Sequence, residues 1–146
     1  MDNIQERFLN KSEFMDLMLS APKSETKYIF QATNGFQQDP YQWIVDRAVD
    51  LNGLIINNRP IYFGVLTENI NHRYEVWTVV NSDVKEQFTL YKLTKRLIRK
   101  WAEKYGKIYA TMEKINPKNM AWTEKLGFKR INETENEITF LLERKK

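Results

Sequence analysis

Between Leu54 and Tyr105 the apolar period of this chain changes once, from the alternation of strands to the three-to-four-residue repeat of a helix. Residues 54–56, 61–66 and 74–80 are short runs rich in β-branched and aromatic side chains. The turn residues Asn57, Asn58, Arg59 and Pro60 join the first two runs as a hairpin. Over residues 84–105, Leu90, Leu93, Leu97, Ile98, Trp101 and Tyr105 then fall on one helical stripe, which Gly106 stops. A strand is predicted over 107–113 and a short helix over 116–126, with Pro117 at its first position and Gly127 as its cap. Two closing strands, 128–131 and 137–142, flank a polar turn. This order of elements implies an α/β (α+β) fold, a mixed and mostly antiparallel sheet flanked by helices, as one domain over residues 1–146.

The first third is less regular. Residues 4–19 read as a strand end running into a helix, capped by Ser12 or Asn10 and closed by Pro22. Residues 28–36 carry no clear period and end at the turn pair Asn34-Gly35. Asp39 and Pro40 then open a helix as N-cap and first residue. Its apolar positions are Tyr41, Ile44, Val45, Ala48 and Leu51, with Asn52-Gly53 as its stop.

Composition excludes several function classes. With no cysteine, disulfides, thiolate metal sites and cysteine nucleophiles are impossible. One histidine, His72, cannot build a multi-histidine metal centre, so no metal site is expected. The longest apolar runs are about six residues, against the ~20 a membrane span requires. The opening Met-Asp-Asn-Ile-Gln-Glu-Arg lacks the basic flank and apolar run of a secretory signal, so synthesis and folding inside the cell are expected. The net charge of +4 is unevenly spread. Residues 1–73 hold 7 Lys/Arg and 9 Asp/Glu, whereas residues 74–146 hold 16 and 10. That asymmetry fits either a solvated helix face or an anionic partner for the second half.

The segment from Asn116 to Phe128 (Asn-Pro-Lys-Asn-Met-Ala-Trp-Thr-Glu-Lys-Leu-Gly-Phe) resembles motif B of the GNAT N-acyltransferases. Asn116, Glu124, Lys125, Gly127 and Phe128 match the pattern, and the order of elements over residues 54–146 matches too. The resemblance implies a GNAT-like fold with an acyl-CoA cleft between splayed central strands. On this chain acetyl-CoA would then meet Val79, Val80, Asn81 and Lys85 near the start of the long helix, and Asn116 and Lys118 on the short one. Two departures qualify the activity. The family cradles pyrophosphate on a glycine-rich turn, where the lack of Cβ lets backbone N–H groups approach closely. Here no glycine occurs between Gly64 and Gly106, and Asp83 and Glu86 would repel phosphate. The family's proton donor is often a tyrosine four residues before the Gly of Gly-Phe. Thr123 holds that position, and an alcohol is a far weaker acid than a phenol. Glu75 on the third predicted strand and Glu68 before the loop are the candidate general bases, alternation leaving open which faces the cleft, with His72 a further basic group.

A narrower resemblance accommodates these departures. Trp77-Thr-Val-Val-Asn-Ser-Asp83, the basic helix with Lys95-Arg96, and its Trp101-Ala-Glu-Lys-Tyr105 ending are similar to a GNAT-like family of small internal virion proteins from short-tailed bacteriophages. It implies a protein acting by binding, with virion or host proteins as partners and an eroded acyl-CoA site. Its place would be the cytoplasm of the host bacterium or the virion itself. The first alternative is a working N-acetyltransferase that grips the phosphates of acetyl-CoA with Lys85, Lys92 and Lys118. The second is nucleic-acid binding through Lys92, Lys95, Arg96, Arg99 and Lys100, ranked last because that face is expected to lack exposed aromatics between its cations.

Overall fold

The computed structural model describes residues 3–81, 85, 87–115 and 117–145. Among these, the chain forms β1 (Ile4–Glu6), α1 (Lys11–Ser20), α2 (Lys23–Ala32), α3 (Pro40–Arg47), β2 (Asp50–Ile56), β3 (Arg59–Glu68) and β4 (Tyr74–Val80). There follow α4 (Gln87–Tyr105), β5 (Lys107–Glu113), α5 (Pro117–Lys125), β6 (Lys129–Glu133) and β7 (Glu137–Glu143). The strands order as β1-β2-β3-β4-β5-β7-β6 in a mixed, mostly antiparallel sheet, with β4 and β5 parallel. The α+β expectation holds. Contacts cluster into two compact units, Met1–Thr67 with Trp77–Lys85, and Glu68–Val76 with Glu86–Lys146.

In the first unit, α1 starts where Asn10 accepts a hydrogen bond from the Glu13 N–H (2.9 Å) while the Glu13 carboxylate takes the Asn10 N–H (2.8 Å). Asn10, not Ser12, is therefore the cap, and the capping box spans Asn10 and Glu13. Residues 23–32 are the helix α2, although no apolar period announces it, because Thr26 and Ile29 suffice to seat one face. Asp39 caps α3 as expected, accepting from the N–H groups of Tyr41 (3.0 Å) and Gln42 (3.4 Å).

The end of α3 departs from the sequence reading. The helix stops at Arg47, Val49 N–H bonds to Leu66 O (2.7 Å), and Asn52-Gly53 lies inside β2. Gly53 serves close approach rather than termination: a Cβ there would sit 2.5 Å from the Arg7 carbonyl oxygen. The β2–β3 hairpin is tighter than expected, turning on Asn57 and Asn58 alone, both at positive φ (53° and 64°). Phe14, Leu17, Ile29, Ile44, Ile55, Phe63, Val65 and Val79 form this unit's core. Phe14 and Phe63 meet at 4.8 Å between ring centroids.

In the second unit, α4 contacts β5 and β7. Its buried stripe is Leu90, Thr94, Leu97, Ile98, Trp101 and Ala102. Leu93 and Tyr105 lie only partly buried at its margin. Gly106 (φ 89°) ends α4 and Gly127 (φ 106°) follows α5, both as expected. Arg99 donates to Glu143 O (2.9 Å) and Arg144 to Glu103 O (2.9 Å), tying the last residue of β7 and the one after it to the helix. Phe128, 4 % exposed, fills the core beyond Gly127.

Candidate functional site

The catalytic residues suggested by the sequence, Thr123 and Glu75, both belong to the second unit. Thr123 sits on α5 with its side chain buried, and its hydroxyl donates to the Asn119 carbonyl four residues back (2.7 Å). The sulfur of Met112 on β5 lies 3.7 Å from the same oxygen. The hydroxyl proton is thus committed within the helix, a common bond for threonine in that position.

Glu75 is partly buried on β4, opposite Tyr109 of β5. Its carboxylate accepts from the side-chain amide of Asn69 (3.1 Å). Asn69 in turn builds the β3–β4 loop. Its side-chain oxygen accepts the N–H groups of Asn71 (2.9 Å) and Arg73 (3.0 Å), and its carbonyl takes the His72 N–H (3.0 Å). This folded turn puts His72 at φ 59° and leaves its ring 87 % exposed, with Nδ1 3.0 Å from Glu68. The Arg73 guanidinium stacks 3.8 Å over the Tyr109 ring. Glu75 and Thr123 are therefore each held by local neighbours, and no hydrogen bond joins them among the described residues.

The residues suggested for acetyl-CoA divide between the two units. Val79 and Val80 bury their side chains, and the Asn81 N–H is already donated to Ile61 O (2.8 Å). Lys85 in the first unit and Lys118 in the second are exposed. Asn116 lies outside the described residues, as do Asp83 and Glu86. Of the glycine-free stretch 81–90 that corresponds to the family's pyrophosphate turn, residues 82–84 and 86 lie outside the described residues. Among the described residues, no group of His, Asp or Glu could hold a metal and no helix is long and apolar enough to cross a membrane. An open depression of about 510 Å³ lies in the second unit between Glu113–Ile115 and Thr134–Glu137, lined by none of these residues.

Two features escaped sequence reasoning. Glu25, in the first turn of α2, is partly buried, and desolvation raises its pKa from 4.5 to about 7. Nothing in the sequence distinguishes it from a solvated helix glutamate. The second corrects the reading of the basic helix: aromatics do stand among its cations. Phe88 is 72 % exposed with Lys92 Nζ 5.3 Å from its ring, and Tyr91 has Lys95 Nζ at 5.7 Å. The i,i+4 pairs Phe88–Lys92 and Tyr91–Lys95 were the available signal.

No protein-family model and no curated protein is significantly similar to the chain in sequence. Solved structures are similar in fold at low identity. A GNAT-family acetyltransferase from Bacillus anthracis superposes with a TM-score of 0.69 at 12 % identity, covering 96 % of this chain and 94 % of that one. The PaiA N-acetyltransferase of Thermoplasma acidophilum, solved in complex with coenzyme A, gives 0.63 at 13 % identity over 97 % and 99 %. The Campylobacter jejuni N-acetyltransferase PseH gives 0.62 at 18 % identity over 99 % of both chains. The strand order, the long helix before β5 and the short helix before the closing hairpin are thus those of the GNAT acetyltransferase fold.

Proposed function

We propose that this chain uses a GNAT scaffold for binding rather than for acyl transfer, as an internal or accessory protein of a bacteriophage that engages virion or host proteins. The observation that carries the reading is the Thr123 hydroxyl, donated to Asn119 O at 2.7 Å where many acyltransferases present a tyrosine phenol. The absence of glycine between Gly64 and Gly106 and the occupied Asn81 N–H support an acyl-CoA site that has lost its phosphate grip. The phage assignment rests on the similarity of the Trp77–Asp83 segment and the basic helix to small internal virion proteins. A fold can outlive the activity it was built for.

Acyl transfer is the second reading. Its support is the coenzyme A complex of the PaiA enzyme and the Asn69 amide that fixes the Glu75 carboxylate in one orientation. Replacing the chain in its phage by Thr123→Val or Glu75→Gln separates the two. Wild-type yields of infectious particles from both variants are expected. Loss of particles with variants that fold normally would overturn the binding reading in favour of proton-transfer chemistry.

A further inference from the structure

Along α4 there is one carboxylate, Glu103, against Lys92, Lys95, Arg96, Arg99, Lys100 and Lys104. The N-terminal half of this helix and the facing turn of α5 combine that charge with aromatic rings, all within the second unit. Tyr91 is the centre. Its hydroxyl donates to the Lys125 carbonyl of α5 (3.0 Å) and lies 3.4 Å from Lys95 Nζ, which fixes the ring between the helices. Lys125 Nζ sits 4.6 Å from the ring centroid and Lys95 Nζ 5.7 Å. Trp122 packs against the same ring at 6.1 Å and 70°, and its indole nitrogen is buried without an acceptor among the described residues. One turn earlier on α4, Phe88 is 72 % exposed beneath Lys92. The nearby carboxylate of α5, Glu124, is bound to Arg130 at 2.8 Å.

We propose that this surface binds single-stranded nucleic acid. The three ammonium groups rest on π faces, a contact worth only about 0.5–1 kcal/mol when exposed. Phosphates compete for those ammonium groups more strongly, and drawing them off uncovers rings on which unpaired bases stack. A duplex keeps its base faces stacked inside and can use only the charges, so single strands are preferred. The surface shares no residue with Thr123, Glu75 or Asn81, and its ligand is independent of the function proposed above.

Anisotropy of a labelled 12-nucleotide oligothymidylate, titrated with the full chain from 50 to 300 mM salt, tests this. Saturable binding is expected, weakening with salt at a slope of about −2, from three lysines at about −0.7 each. Tyr91→Leu should weaken it about tenfold at fixed salt, and Tyr91→Phe less than about threefold, since stacking requires the ring and not the hydroxyl. Phe88→Ala, an exposed change that leaves the fold alone, should weaken it about fivefold. The Lys95→Gln/Lys125→Gln double variant should lower the slope to about −0.7. Absence of binding at 50 mM salt, equal or tighter binding of a 12-base-pair duplex, or a folded Phe88→Ala variant binding like wild type would each overturn the proposal.

Discussion

Replacing Glu25 by Gln should make the protein more stable at pH 8 and leave it almost unchanged at pH 4.5. The carboxyl lies in the first turn of α2, where the helix dipole favours its charged form, yet burial outweighs that and raises its pKa from 4.5 to about 7. Between those values the folded chain holds more of this proton than the unfolded chain. Stability therefore falls as pH rises through the window and levels off above about pH 8. At about 1.4 kcal/mol per unit, the interval corresponds to a penalty of about 3 kcal/mol once the group is charged. The side chain keeps some exposure, so about 1–3 kcal/mol is the expected gain for the neutral, nearly isosteric glutamine. Glu13 and Asp39 have lowered pKa values, through Arg7 and Lys11 first, and contribute the opposite trend at lower pH. Comparing variant with wild type at each pH removes those contributions. Urea unfolding of both proteins at pH 4.5, 6 and 8 measures the difference. A gap that is zero, or the same at all three pH values, would refute the argument that burial sets this proton's affinity.

Two further outcomes probe the local logic of the first unit. Asn10→Ala removes one side of the capping box and should cost about 1 kcal/mol in urea unfolding, more than Ser12→Ala at the neighbouring position. Gly53→Ala drives a methyl against the Arg7 carbonyl, which as backbone cannot swing aside, and should lower stability by about 1–3 kcal/mol. Gly35→Ala supplies a control in which positive φ rather than contact sets the penalty.

How far the sequence discloses this molecule depends on whether the signal is local. The cap at Asp39, the strand at residues 74–80 and the glycines at 106 and 127 are decided by residues within a turn or two, and all were legible. Asn52-Gly53 misled because the same pair serves a helix stop and a close strand crossing. Only the Arg7 carbonyl, far away in sequence, distinguishes them. Residues 23–32 became a helix through tertiary seating of Thr26 and Ile29, which no period records. At the site, residue types pointed to Thr123 and Glu75, but their engagement by Asn119 and Asn69 is a matter of geometry. The Tyr91–Trp122–Lys125 grouping joins residues of two helices more than thirty positions apart. It was invisible for the same reason.

The central claim, a GNAT fold without a working acyl-CoA grip, is tested most directly by calorimetric titration of acetyl-CoA and of CoA into the purified full-length chain. The account predicts no heat of binding and no shift in melting temperature at millimolar cofactor. Saturable binding in the micromolar range would contradict it and return the chain to the acyltransferases.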